Sequence, residues 1–142
     1  MNMEEGKIEA RLSRLVVVDG HDQQFIQLRE AHPRGGKARE ITMVIGLNEA
    51  AEIRRCLQNE SMPRPLTHEL AYRILGQLGG RLQEAVIHDL REGTYYAELR
   101  LEHQGTVLHV DCRPSDGIAL SLRNRSPIYI LEKVFAAASR ED

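Results

Sequence analysis

The sequence has no tryptophan, two phenylalanines and four tyrosines. That scarcity excludes an aromatic platform of the kind that stacks single-stranded bases. Cysteine is almost absent as well: Cys56 and Cys112 stand alone, without CxxC spacing, which points to reduced thiols and away from a disulfide framework or a structural zinc site. No apolar run approaches the roughly 18 residues needed to span a bilayer. The opening Met-Asn-Met-Glu-Glu-Gly-Lys lacks a basic segment leading into an apolar stretch, so the expectation is no signal peptide, no membrane contact and a cytoplasmic location. Charge of one sign is missing too, because 19 basic and 21 acidic residues leave a net charge of -2. A global electrostatic pull on nucleic acid is thereby excluded, and a polyanion would have to meet a local patch. Lysine occurs only at Lys7, Lys37 and Lys133, the other sixteen basic residues being arginine. Guanidinium forks suit bidentate phosphate contacts, although a G+C-rich genome produces the same bias with no functional cause. No Gly-rich phosphate loop, HExxH or nucleophile elbow is present.

What is there fits one globular domain over residues 1–142, long enough to hide roughly two thirds of its unfolded surface. Aliphatic and β-branched residues from Ile8 to Asp19, the turn cluster Asp19-Gly20-His21-Asp22 and an alternating segment from Gln24 to Arg29 predict a hairpin. A basic Gly- and Pro-containing loop, Ala31 to Lys37, leads to a third strand at Glu40 to Ile45. Its cations suit either a phosphate contact or plain solvation. After Gly46 a helix follows, with Asn48 or the residue before it as cap and Leu47, Ala50, Ile53 and Leu57 at helical spacing. Pro63-Arg64-Pro65 forces an extended connector. Thr67 is then positioned to cap a second helix, whose Leu70, Ala71, Ile74, Leu75 and Leu78 form an apolar stripe ending at Gly79-Gly80.

Three strands in a meander are expected over Leu82 to Leu90, Tyr95 to Leu101 and Val107 to Cys112, with turns at Glu92-Gly93 and Gln104-Gly105. In the middle strand Tyr95, Ala97, Leu99 and Leu101 face one way and Tyr96, Glu98, Arg100 and Glu102 the other, predicting one buried side and one that is wet or lines a cleft. A helix carrying Ile118, Ala119 and Leu122, a short strand at Ile128 to Ile130 and a last helix packing through Leu131, Val134, Phe135 and Ala138 complete the chain. Hairpins with inserted helices and no βαβ alternation indicate an α+β fold, with a mostly antiparallel sheet and about four helices.

Two segments carry a resemblance to a known family: Pro63-Arg64-Pro65-Leu66-Thr67-His68-Glu69-Leu70, and Val110-Asp111-Cys112-Arg113-Pro114-Ser115-Asp116-Gly117-Ile118-Ala119-Leu120-Ser121-Leu122-Arg123 followed by Pro127-Ile128-Tyr129. With Ile45-Gly46, Glu49-Ala50 and Gly93 to Ala97 in matching order, residues of about 8–139 resemble the bifunctional nuclease domain. The family often has Pro at the position of Thr42, Asp at Glu69, and Ala at Cys112 and Gly117. The resemblance implies a small domain that assembles into homo-oligomers and cleaves both DNA and RNA.

Within these segments Asp111 and Asp116 flank a strand-to-helix corner and, with Asp89 on a neighbouring strand, are the candidate ligands for Mg²⁺ or Mn²⁺, which would polarise a phosphodiester. Arg113 between them is placed to steady charge on phosphorane oxygens. His68 is a candidate general acid near a helix N-terminus, and Arg64 and Arg123 are candidate substrate contacts. Glu98, His88 and His109 are further possible ligands. Each has an architectural reading beside the chemical one: Arg113 pairing with either aspartate, Ser115 and Asp116 capping the helix, and His68 fixing the Pro-rich connector. Cys112 or Ser115 as a nucleophile has no His and acid partner that the sequence places beside it. Two functions follow, a metal-assisted nuclease of low sequence preference, or a non-catalytic oligomeric binding or regulatory module.

Overall fold

The computed structural model describes residues 6–141. Two apolar alternating runs joined by the Asp19-Gly20 turn become β1 (Lys7–Val16) and β2 (Gln23–Glu30), and the third strand is β3 (Glu40–Gly46). Helices α1 (Leu47–Leu57) and α2 (Thr67–Gln77) follow, and then the meander β4 (Arg81–Arg91), β5 (Thr94–His103) and β6 (Thr106–Cys112). The chain closes with α3 (Pro114–Asn124), β7 (Ile128–Leu131) and α4 (Glu132–Glu141). Both meander turns are two-residue loops with positive φ at each position, 48° and 79° at Glu92-Gly93 and 51° and 78° at Gln104-Gly105. This is the turn whose twist matches that of the strands it joins, and Gly takes its second position without strain.

The hairpin half and the meander half form one sheet of order β3-β2-β1-β7-β4-β5-β6. Strand β7 joins them, pairing antiparallel with β1 and parallel with β4. One face of this sheet carries Ile26, Leu28, Ile41, Met43, Ala85, Ile87, Ile128 and Ile130, all buried. Ile53 of α1, Ile118 of α3 and Val134 and Phe135 of α4 share that core. Gly117 lets α3 lie close to the sheet, since a Cβ there would sit 3.2 Å from the Ala85 Cβ and 3.5 Å from the Cys112 Sγ.

Four expectations are corrected. Leu131 ends β7 and does not begin the last helix. The N-caps of α1 and α2 are Gly46 and Leu66, with no side-chain cap bond, so Asn48 and Thr67 lie inside their helices. The polar side of β5 is not wet: Glu98 and Arg100 are 8% and 3% exposed, because Arg100 pairs with Glu84 across the sheet and His109 with Glu98. The apolar stripe of α2 is not core, for Leu70 and Ile74 are each 50% exposed and Leu78 70%. Among the described residues no helix is long and apolar enough to cross a membrane.

Candidate functional site

Strand β6 ends at Cys112 and the chain turns into α3 through Arg113, whose extended backbone (φ -75°, ψ 151°) makes it the N-cap. Pro114 follows at the first helical position, where a missing N–H costs nothing. Three residues on, Asp116 folds its carboxylate back over the helix start. Its Oδ2 accepts the Arg113 backbone N–H at 3.2 Å and Nε at 2.9 Å, and its Oδ1 accepts an Arg113 terminal nitrogen at 2.8 Å. A carboxylate at this position stabilises the helix end through both the cap bond and the dipole.

The Pro63–Pro65 connector delivers α2 with His68 in its first turn, and His68 Nε2 lies 2.8 Å from Asp116 Oδ1. From α1, Glu49, also in a first turn, brings Oε1 to 3.4 Å from Arg113. Its other oxygen is buried and has no hydrogen-bond partner. The N-termini of α1, α2 and α3 therefore meet at one corner, where the helix dipoles favour negative charge and where Glu49 and Asp116 already set two carboxylates against Arg113.

Arg113 keeps 61% of its side chain exposed and stands between two clefts. One, of about 520 Å³, is lined by Asn48, Glu49, Arg55, Thr67 and His68. The other, of about 410 Å³, is lined by Gly46, Glu49, Thr94, Tyr95 and Ser115. Larger clefts lie elsewhere. That between Lys7, Arg34, Lys37 and Arg39, about 740 Å³, belongs to the basic loop, and its Arg39 is neutralised by Glu30 and Glu132.

Burial works to raise the carboxyl of Asp116, but the bonds from His68 and Arg113 and the guanidinium charge outweigh it and hold the group well below the usual carboxylate range. The ionised carboxylate accepts from His68 Nε2–H and leaves Nδ1 as the basic nitrogen. The thiol of Cys112 is pushed up to about 12 by burial and then by the charges of Asp116 and Asp111. That is the reverse of what a nucleophile requires.

The structure joins Asp116, Arg113 and His68 and adds Glu49, an acid whose part in the site the sequence reading missed. Asp111 lies apart from them. It stands opposite Glu98, while Cys112 stands opposite Ala97 and touches the α3 side, so strand alternation turns Asp111 to the far face of the sheet. Asp89 is tied to Arg91 at 2.6 Å and to the Leu90 N–H. Arg123 is held by buried Glu52 at 2.8 Å and faces Glu69 at 3.7 Å, whereas Arg64 lies exposed on the connector. Four N–H donors occupy the lone-pair positions of Asp116. Among the described residues no three His, Cys, Asp or Glu side chains converge as a cation site. The residues present do not fit a divalent ion held by Asp89, Asp111 and Asp116.

A family model described as the bifunctional nuclease domain matches residues 31–142. Two uncharacterised proteins from two strains of Mycobacterium tuberculosis are each 39% identical over 130 residues, covering 92% of this chain and 75% of each relative.

Proposed function

The chain belongs to the bifunctional nuclease domain family, and on that premise we propose that it is a nuclease that cleaves phosphodiester bonds of DNA and RNA with little sequence preference. The observation that carries the reading is the meeting of three helix N-termini around Arg113, with His68 oriented by Asp116 at 2.8 Å beside it. A phosphate seated there is attracted by the positive ends of the helix dipoles and by the outer side of the Arg113 fork.

His68 Nδ1 then takes a proton from the attacking water as its oxygen bonds to phosphorus. Arg113 stabilises the charge gathering on the phosphorane oxygens. As the bond to the leaving oxygen breaks, the imidazolium returns the proton to it. Asp116 positions His68 and Arg113 and touches no reacting atom. Arg64, exposed on the connector, extends the contact along the strand, and assembly into a homo-oligomer sets the exposed arginines of two copies around one polyanion. A divalent ion enters only as a condition of the test, because among the described residues no three His, Cys, Asp or Glu side chains converge to hold one.

The second reading, an anion-binding regulatory module, is favoured by the way Asp116 is saturated by its own neighbours. The deciding experiment is cleavage of labelled single-stranded RNA and double-stranded DNA by purified protein in Mg²⁺, Mn²⁺ or EDTA, beside folded His68→Gln, Arg113→Ala and Asp116→Asn. Cleavage lost in all three variants supports the nuclease centre, and its response to EDTA reports the metal requirement. Cleavage surviving in all three removes the corner from the mechanism. No cleavage by any preparation, with phosphate binding lost in Arg113→Ala, establishes the binding module instead.

A further inference from the structure

Helix α2 has no buried residue, and β6 is exposed from Thr106 to Asp111. Both lie beside β5, which pairs with β6 and whose Leu99 and Leu101 lie under α2. Leu101 stands opposite Leu108 and Leu99 opposite Val110, so the four side chains share one sheet face. On that face Ala71 and Leu75 of α2 close a small apolar cavity of about 100 Å³ with Leu82, Leu99 and Leu101. His68 and Tyr72 turn toward α3, where they bond Asp116 and Asn124. At about 100° per residue, Ile74 and Leu78 then fall on the opposite flank, above β6. The result is an L-shaped apolar trough. Its wall is Leu70, Ile74 and Leu78, which are 50%, 50% and 70% exposed, and its floor is Leu108 and Val110, 44% and 43% exposed. Strand β6 ends the sheet, and among the described residues no element lies beyond it.

We propose that this trough is a homodimer interface, in which α2 of a second copy lies antiparallel to α2 and over β6. The proposal rests on the oligomeric part of the reading above and is independent of the cleavage chemistry. The occupant follows from three properties of the surface. Its apolar side chains, with exposed Leu66 at the end of the wall, present about 600 Å² per chain, the upper end of what a monomer leaves in one patch, and roughly 1,200 Å² in a symmetric pair, the lower bound of a stable interface. The wall is self-complementary, since apolar residues at spacings of four put Ile74 on a two-fold axis and Leu70 against the partner's Leu78. The nearest charges on α2, Glu69 and Arg73, close on each other at 2.6 Å, so pairing brings no uncompensated like charge. A long edge strand without Lys or Pro, as β6 is, is also the kind that folded proteins cover.

The test is sedimentation equilibrium of the full chain from about 1 to about 200 µM, with Ile74→Glu and, separately, Leu108→Arg expected to raise the dimer Kd by about 100-fold or more. Both positions are solvent-facing in one chain, so thermal unfolding of diluted protein shows whether each variant is folded; Ile74→Ser replaces Ile74→Glu if it is not. Arg34→Glu, on the distant basic loop, leaves the dimer intact. Dimers persisting in the wall and floor variants overturn the surface while leaving the oligomeric reading standing. Dissociation by the wall variant alone overturns the trough in favour of helix pairing only. A wild-type chain that stays monomeric throughout removes both.

Discussion

Replacing Asp116 by Asn tests the corner most directly, because it keeps the shape of the side chain and removes only its charge and one acceptor. Asp116 receives four N–H donors from His68 and Arg113. Asparagine can accept on one oxygen only, and its NH₂ then faces guanidinium donors. Hydrogen bonds to a charged group are each worth about 1.5 to 3 kcal/mol, and an anion at a helix N-terminus adds about 0.3 to 1 kcal/mol. Arg113 is 61% exposed and can turn to water, so the loss is not the full sum, and a cost of about 2 to 3 kcal/mol at pH 7 is expected. The pH dependence fixes the cause. The folded-state pKa of Asp116 is depressed, so its stabilisation is fully present above the unfolded value of about 3.9 and is lost as pH falls below that value toward the folded pKa. With the unfolded carboxyl half protonated near pH 3.9, the gap between wild type and Asp116→Asn narrows by about 1.5 kcal/mol from pH 4 to pH 2.5. Urea unfolding at a series of pH values reads this directly. A cost below about 0.5 kcal/mol at pH 7, or one that stays constant down to pH 2.5, refutes the account of the corner.

Two further outcomes are expected. Glu52, 2% exposed and bound to Arg55 and Arg123 at 3.0 and 2.8 Å, anchors α1 to α3; Glu52→Gln should cost about 2 kcal/mol by taking the nearest carboxylate from two partly buried guanidiniums, Arg123 keeping Glu69 at 3.7 Å. The Glu52→Gln/Arg123→Met double variant should cost less than the single one, as measured by urea unfolding. Burial raises the Cys56 and Cys112 thiols to about 11 and about 12, so at pH 8 native protein should react with iodoacetamide at least about tenfold more slowly than unfolded protein, followed by mass spectrometry.

Local chemistry made most of the fold legible. The Glu92-Gly93 and Gln104-Gly105 signals became two-residue turns, and the alternation in β1 to β3 gave their pairing and inner face. Periodicity failed where it had to stand in for a partner. The stripe of α2 reports an apolar face but not what covers it: Ala71 and Leu75 pack on Leu82 and Leu99, while Leu70, Ile74 and Leu78 look outward. The alternation of β5 reports polarity but not burial. Glu98 and Arg100 are long and opposite in charge, and they fill the second face by pairing with His109 and Glu84.

The site was legible only in part, for a geometric reason. His68 reaches Asp116 across 48 residues and Arg113 reaches Glu49 across 64, separations over which one sequence carries no pairing signal. Closeness in sequence misled in the other direction. Asp111 and Asp116 lie five positions apart around a turn, which suggests one metal site, yet the strand has its own parity. Val110 and Cys112 belong to the apolar face, and Asp111 between them must point away from α3. Had that parity been followed through the corner, Asp111 would have been set aside and Asp116 left with its helix start. The acids to seek beside it were then those in the first turns of other helices, where the dipole favours a carboxylate. Glu49 is one of these, and it brings to the corner an oxygen that no protein donor satisfies.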